Sequence, residues 1–305
     1  MGGGDGSKEK ARARRLLVIH NPTAGRRAAR KFARWCRALE ALGAAVTLEK
    51  TNGPLHARDL ARGADATRFD AVAVAGGDGT INEAVNGLVG SSLPLALLPL
   101  GTANVLANEL GLPRNIETLA RIAAFAPARL VWPGEILSAE RAEPWRFLLM
   151  AGVGFDAEVV AHLDLALKRR IGKGAYVLGS LAQLARHTGQ CVDASVDGAA
   201  LRCASLVVAR AHFYGGRFVL APKARLDQRQ LHTVIFPEPS RGAALRYLAA
   251  VVVGRLSRQT DVAIRISERI ELRGPAGAPV QIDGDIRAHL PASIRLADQP
   301  LAIIS

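Results

Sequence analysis

Cysteine is scarce: three in 305 residues, Cys36, Cys191 and Cys203, odd in number and scattered. That excludes a disulfide framework or a cysteine-based zinc site and points to a reducing compartment. Aromatic residues make up only 5%, and none interleave with the basic runs as base-stacking platforms would, so nucleic acid is not an expected partner. No apolar run approaches the roughly 20 residues of a spanning helix; "LPLALLPL" and "LAAVVVG" are core-sized. No apolar secretory stretch precedes residue 16. Gly2 suggests myristoylation, but Gly6 stands where that motif needs Ser or Thr. The expectation is a cytoplasmic protein whose residues 1–14 form a flexible basic tail. The histidines, His56, His162, His187 and His212 among them, lack metal-ligand spacing.

What is present is folded chain and positive charge. Hydrophobic residues make up 49% and charged residues 22%, which fits a globular protein with real cores. Forty Lys and Arg against 27 Asp and Glu give +13. A chain this basic meets anionic partners such as phosphorylated ligands or an anionic membrane surface. An Arg- and Ala-rich composition inherited from a GC-rich genome gives the same balance.

Residues 15–127 alternate short apolar runs with helical spacing: "RLLVIHNP", "AAVTLEKT", "FDAVAVAGG" and "LPLALLPLG" read as strands with helices between them. This pattern predicts a doubly wound, Rossmann-like α/β domain with a parallel sheet covered on both faces. Ligands then bind beyond the carboxyl ends of the strands. Residues 128–305 change texture to short β-rich runs separated by turns, interrupted by helical patterns near Ala161–Arg186 and Gly242–Leu256. They predict a second domain built as a β-sandwich.

Three polar glycine loops follow strands of the first domain. "HNPTAGRR" carries Asn21, Pro22, Thr23, Ala24 and Gly25; "AGGDGTINEA" carries Gly76, Gly77, Asp78, Gly79, Thr80, Asn82 and Glu83; "LPLGTAN" carries Gly101 and Thr102. Glycines let backbone amides approach phosphate oxygens, and a helix start adds partial positive charge. Thr80 and Glu83 have capping-box spacing, with Thr80 as N-cap. A carboxylate at Asp78 repels phosphate unless it holds a divalent cation, meets the acceptor hydroxyl, or satisfies local amides. Three such loops at one sheet edge predict a nucleotide site.

Together with "AGVGFDAEVV", "KRRIGKGAYVLG", "YGGRFVLAPKA" and "VQIDGD", these motifs resemble the diacylglycerol kinase catalytic-domain family, which includes sphingosine kinases and bacterial lipid kinases. The resemblance runs over nearly the whole chain. It implies an ATP- and Mg²⁺-dependent kinase that phosphorylates a lipid hydroxyl such as that of diacylglycerol. It implies that Asn21–Gly25 and Gly77–Glu83 line the nucleotide phosphates, with Thr51 and Thr102 nearby, and that Asp78 organises metal and phosphate. The family's general base is a glutamate in an Asp-Gly-Glu turn. Here the turn reads Asp283-Gly284-Asp285, so the shorter Asp285 takes that place, with Asp283-Gly284 also a strong hairpin signal. The resemblance also suggests that the last strand, around Leu296–Ser305, returns to the first domain.

Some bacterial members hold a structural magnesium where this chain has "APKARLDQRQL". Lys223, Gln228 and Arg229 replace its acidic and glycine positions, leaving Asp227 with basic neighbours, and no such site is expected. Lys168, Arg169, Arg170 and Lys173 form a basic cluster that suits either solvent or the inner face of an anionic membrane. Two other readings share features with this one. An NAD kinase also carries Gly-Gly-Asp-Gly-Thr, and a non-catalytic, basic membrane-binding protein explains the charge. The sequence leaves open the lipid, ATP against GTP, and the oligomeric state, a homodimer included.

Overall fold

A computed structural model of the chain describes residues 12–161 and 191–305. The Lys168–Lys173 cluster and most of the Ala161–Arg186 helical pattern lie outside the described residues. The first domain runs β1 (Arg15–His20), α1 (Arg26–Ala41), β2 (Ala45–Lys50), α2 (His56–Arg62), β3 (Ala71–Gly76), α3 (Asp78–Gly87), β4 (Leu95–Pro99), α4 (Val105–Glu109), α5 (Ile116–Phe125) and β5 (Ala128–Val131). β2, β1, β3 and β4 pair in parallel in that spatial order. Every residue of β3, Ala71 to Gly76, is buried, as a central parallel strand covered on both faces requires. α1 turns Ala28, Phe32, Trp35 and Leu39 inward at three- and four-residue spacing and packs with α5 on one face. α2 and α3 cover the other.

The second domain continues through β6 (Gly134–Ser138), β7 (Trp145–Phe147), β8 (Met150–Gly154), α6 (Phe155–Ala161), β9 (Val192–Val196), β10 (Ala199–Cys203), β11 (Ser205–Ala209), β12 (Phe213–Tyr214), β13 (Phe218–Val219), β14 (Leu231–Phe236), α7 (Arg241–Val252), β15 (Ala263–Ser267), β16 (Arg269–Arg273), β17 (Pro279–Ile282), β18 (Asp285–His289) and β19 (Ala292–Leu296). Two antiparallel sheets, β10-β9-β16-β19-β6-β7 and β15-β14-β11-β8-β17-β18, form a sandwich around Ile136, Phe147, Val153, Leu206, Ile270, Val280 and Ile294. The last strand, β20 (Leu301–Ile304), lies in the first sheet, parallel to β4 and antiparallel to β5.

The pairing of β5 with β20 moves one expected boundary. Residues 128–131 belong to the first sheet, not to the sandwich, because the change of texture at Pro127 marks a turn between α5 and β5. Beside a core inside each domain, a third is shared between them. One apolar cluster runs from Val74, Ile81 and Leu106 of the first domain to Val207, Phe236 and Tyr247 of the second, and includes Leu301 and Ile303.

Buried Arg210 packs against the "APKARLDQRQL" segment. Its guanidinium donates to the carbonyls of Trp132, Arg225, Leu226, Gln228 and Gln230. Asp227 is paired with Arg225. One buried guanidinium thus satisfies the carbonyls of this loop.

Deleting residues 300–305 should remove the strand between β4 and β5 and bare the apolar residues beside it. We predict that the truncated chain loses several kcal/mol of stability in urea denaturation or fails to stay soluble, since three buried Leu/Ile side chains contribute about 1.5–3 kcal/mol each. A truncated chain with the full-length midpoint would contradict the topology.

Candidate active site

The carboxyl ends of β1, β3 and β4 open into a cleft of about 1000 Å³ between the two domains. His20 closes β1 with its ring stacked on Phe32 at 3.8 Å, and burial lowers its pKa, favouring the neutral form. Asn21 follows. Its Oδ1 accepts from the Thr23 N–H at 3.1 Å and from the Thr23 hydroxyl, and its Nδ2 donates to Thr80 Oγ1 at 2.9 Å. The first loop is thus tied to the second. Gly25 takes φ +84°, a region that glycine enters without strain.

The second and third loops meet glycine to glycine. A Cβ on Gly101 would lie 2.7 Å from the Gly77 Cα, so neither loop could keep its place with a side chain at Gly101. Asp78 completes the contact: its Oδ2 and Oδ1 accept the Val105 and Leu106 amides at 3.0 and 3.1 Å. The carboxylate in the glycine turn therefore satisfies two otherwise orphaned donors at the start of α4.

The expected capping box does not form. α3 begins at Asp78 with Gly77 as N-cap, and no side chain caps it. Thr80 instead receives Asn21, and Glu83 pairs with Arg287 at 3.1 Å. The reason is that the turn ends at Gly77, three residues before Thr80, which leaves the first-turn amides of α3 at the cleft, an arrangement suited to anions.

Asn21, Pro22, Thr23, Gly25, Thr51, Gly77, Asp78, Gly79, Thr80, Glu83, Gly101 and Thr102 all line the cleft. Ala24 completes the short 3₁₀ turn beside them. Two expected site residues serve elsewhere. Gly76 is buried at the end of β3, where a Cβ would meet that of Thr80 at 2.8 Å. Asn82 is 4% exposed, and its amide is spent inside the domain interface. Its Nδ2 donates to the Arg146 carbonyl at 2.9 Å and to Asp283 Oδ2 at 2.8 Å, while its Oδ1 accepts from Trp145 Nε1 at 2.8 Å.

The second domain supplies the opposite wall. Asp283 has φ +49° in the turn between β17 and β18, and its carboxylate also accepts the Leu148, Leu149 and Met150 amides at 2.9–3.0 Å. Burial pushes its pKa up to about 6, although those hydrogen bonds favour the charged form. One step on, Asp285 reaches the first domain: a Cβ on Gly79 would stand 2.9 Å from its Oδ2. Arg287 donates to both Glu83 and Asp285, at 3.1 and 3.3 Å, and so spans the cleft.

Two wall residues, Arg287 and Asp156, were not among the expected site residues. Arg287 stands outside the quoted motifs, and its link to Glu83 crosses 204 residues of sequence. Asp156, 7% exposed, accepts from Tyr214 Oη and from Gln281 Nε2 at 2.8 Å, and burial raises its pKa. It lay within "GFDAEVV", and a polar residue following an apolar strand was the available clue. Asp156 and Tyr214 also line a second, apolar cavity of about 80 Å³, walled by Phe155, Val159, Leu220, Phe236, Leu248 and Val251. Among the described residues, no group of three His, Cys, Asp or Glu side chains could hold a metal by itself.

The architecture is that of a nucleotide-type α/β domain closed by a β-sandwich, and comparison with known proteins places it. Residues 15–131 match the diacylglycerol kinase catalytic domain, and residues 150–305 match the YegS C-terminal NAD kinase β-sandwich-like domain. The chain belongs to the lipid-kinase family that joins these two domains. It is 29% identical over 295 residues to a diacylglycerol kinase of Mycobacterium tuberculosis, covering 95% of this chain and 94% of that one. It is 26% identical over 284 residues to a diacylglycerol kinase of Bacillus subtilis, covering 91% and 92%. A solved diacylglycerol kinase from Bacillus anthracis shares the fold, with a TM-score of 0.72 at 22% identity over 96% of this chain and 97% of that one.

Asp283 yields a pH prediction. Its folded pKa of about 6 lies above an unfolded value of about 3.9, so the folded chain binds more protons between them. Its contribution to stability is therefore full below about pH 4 and declines as pH rises to about 6. Carboxyl-resolved NMR titration should show the Asp283 carbon moving near pH 6; a midpoint below 4 would contradict the assigned environment.

Proposed function

We propose that the chain transfers the γ-phosphate of ATP to a hydroxyl of a lipid such as diacylglycerol. The observation that carries this is Asp285, brought from the sandwich to the uncapped start of α3 beside Gly79. Phosphoryl transfer rests on positioning and charge neutralisation, with a carboxylate to receive the hydroxyl proton. Asn21–Gly25, Gly77–Thr80 and Gly101–Thr102 would receive the phosphates and Thr51 the far side of the nucleotide. Asp285 would accept the proton of the attacking hydroxyl.

Mg²⁺ in such sites is held by one or two carboxylates and the phosphates themselves, without a protein cage. Asp78 and, across the cleft, Asp285 are the carboxylates that fit that need. When bound, the ion would neutralise phosphate charge. Arg287, between Glu83 and Asp285, would hold Asp285 toward the turn. The apolar cavity that shares Asp156 and Tyr214 as wall residues with the cleft supports an apolar substrate over NAD, the acceptor in the competing reading. A soluble chain that meets the membrane peripherally follows from that substrate; among the described residues no helix is long and apolar enough to cross one.

Incubation with labelled ATP, Mg²⁺ and a panel of lipids, with NAD included, should label a lipid that carries a free hydroxyl and leave NAD unlabelled. Labelled NADP without labelled lipid would reverse the assignment. Asp285→Asn preserves shape and removes the proton acceptor, so kcat should fall by ~10²–10⁴-fold while ATP affinity changes little. If this variant turned over at the wild-type rate, Asp285 would be a hairpin residue only. Asp78→Asn puts an amide N–H against the donors of Val105 or Leu106, and turnover should be abolished at every pH.

A further inference from the structure

The outward face of α7 is apolar where a solvated helix would be polar. Among the described residues, eight large hydrophobic side chains are exposed, and three of them fall between residues 245 and 253: Leu245 at 47%, Val252 at 41% and Val253 at 64%. Leu245, Leu248 and Val252 follow each other at three- and four-residue steps, which aligns them in one stripe along the helix. Ala244, Tyr247, Leu248 and Val251 line the apolar cavity beneath the same helix. Leu248 belongs to both sets, so the exposed stripe and the cavity wall adjoin along its side chain.

The charge at the carboxyl end of this stripe is positive. Exposed Arg255 and Arg258 follow Val253 at the carboxyl end of the helix. Asp261, the nearest carboxylate there, is neutralised by Arg246 at 2.6 Å and also receives the Tyr247 hydroxyl. Glu238 stands at the other end, before the helix begins. An apolar stripe ending in arginines is the pattern of a surface that lies in the headgroup layer of an anionic bilayer, with the aliphatic side chains below and the guanidinium groups at the phosphates.

We propose that this face of α7, Leu245, Val252 and Val253 with Arg255 and Arg258, is the surface by which the protein docks on anionic phospholipid membrane. The cavity beneath α7 then opens beside the bilayer and runs toward Asp156 and Tyr214 at the cleft. The purpose assigned to the docking rests on the lipid-kinase reading; the docking itself does not.

The test is sedimentation of the full chain with vesicles of phosphatidylcholine containing 30% phosphatidylglycerol. Wild type should bind these vesicles and bind pure phosphatidylcholine more weakly. Leu245→Gln/Val252→Gln/Val253→Gln, all at exposed positions, should weaken binding at least tenfold with an unchanged unfolding midpoint. Arg255→Gln/Arg258→Gln should weaken it about fivefold per arginine at low salt, with the effect lost on phosphatidylcholine. Both variants should phosphorylate detergent-dispersed lipid within twofold of wild type. Absence of vesicle binding by the wild type, or wild-type affinity in both variants, would overturn the proposal. A chain that phosphorylates no lipid yet binds vesicles through α7 would refute the kinase reading and leave the docking surface standing.

Discussion

The geometry of the cleft depends on one buried carboxylate that ties the two domains together. Asp283, in the left-handed region, accepts three consecutive backbone amides from the segment leading into β8 and the side-chain amide of Asn82 on α3. It therefore fixes the β17–β18 turn against the sandwich and, through Asn82, against the helix that starts at the glycine turn. Asn86, one turn further along α3, repeats the attachment by exchanging hydrogen bonds with the backbone of Arg146. On the far side of the cleft Glu109, at the end of α4, accepts the His212 and Phe213 amides. The two helices that follow the second and third glycine loops are thus each bonded to the second domain, over a continuous apolar core.

The consequence for function is geometric. Each loop is held by the next: Asn21 holds Thr80, Asp78 holds the start of α4, and the Gly77–Gly101 contact sets the spacing. Asp285 then stands two residues beyond a clamped Asp283, so its reach toward Gly79 is decided by the clamp and not by its own flexible bonds. The turn thereby brings the Asp285 carboxylate within 2.9 Å of where a Cβ on Gly79 would stand. Catalysis by positioning needs this stiffness, since small displacements of reacting groups are costly in rate.

Much of the first domain was legible because its signals are local. Apolar runs ending in glycine loops mark parallel strands, and the buried positions of α1 recur at helical spacing. Twelve of the expected cleft residues do line it. What escaped was set by long-range packing. Asn82 looks like a loop-proximal phosphate ligand in sequence, yet its position on α3 turns it into the interface. The Thr80–Glu83 pair has capping spacing, but the turn geometry starts the helix earlier. Arg287 and Asp156 gain meaning only when β18 and α6 are folded against the first domain. The second domain's class was readable from its short β runs, and its strand order was not, because antiparallel neighbours such as β16 and β9 are far apart in sequence.

The most direct test is a double-mutant cycle on turnover with Asn82→Ala and Asp283→Ala, two residues placed here as the clamp and not as the chemistry. Each substitution should lower kcat at least tenfold in protein that remains folded. The two effects should not be additive, with a coupling of about 1 kcal/mol or more. Wild-type turnover in Asn82→Ala, or effects that add within about 0.5 kcal/mol, would contradict the claim that this contact holds Asp285 over the glycine turn.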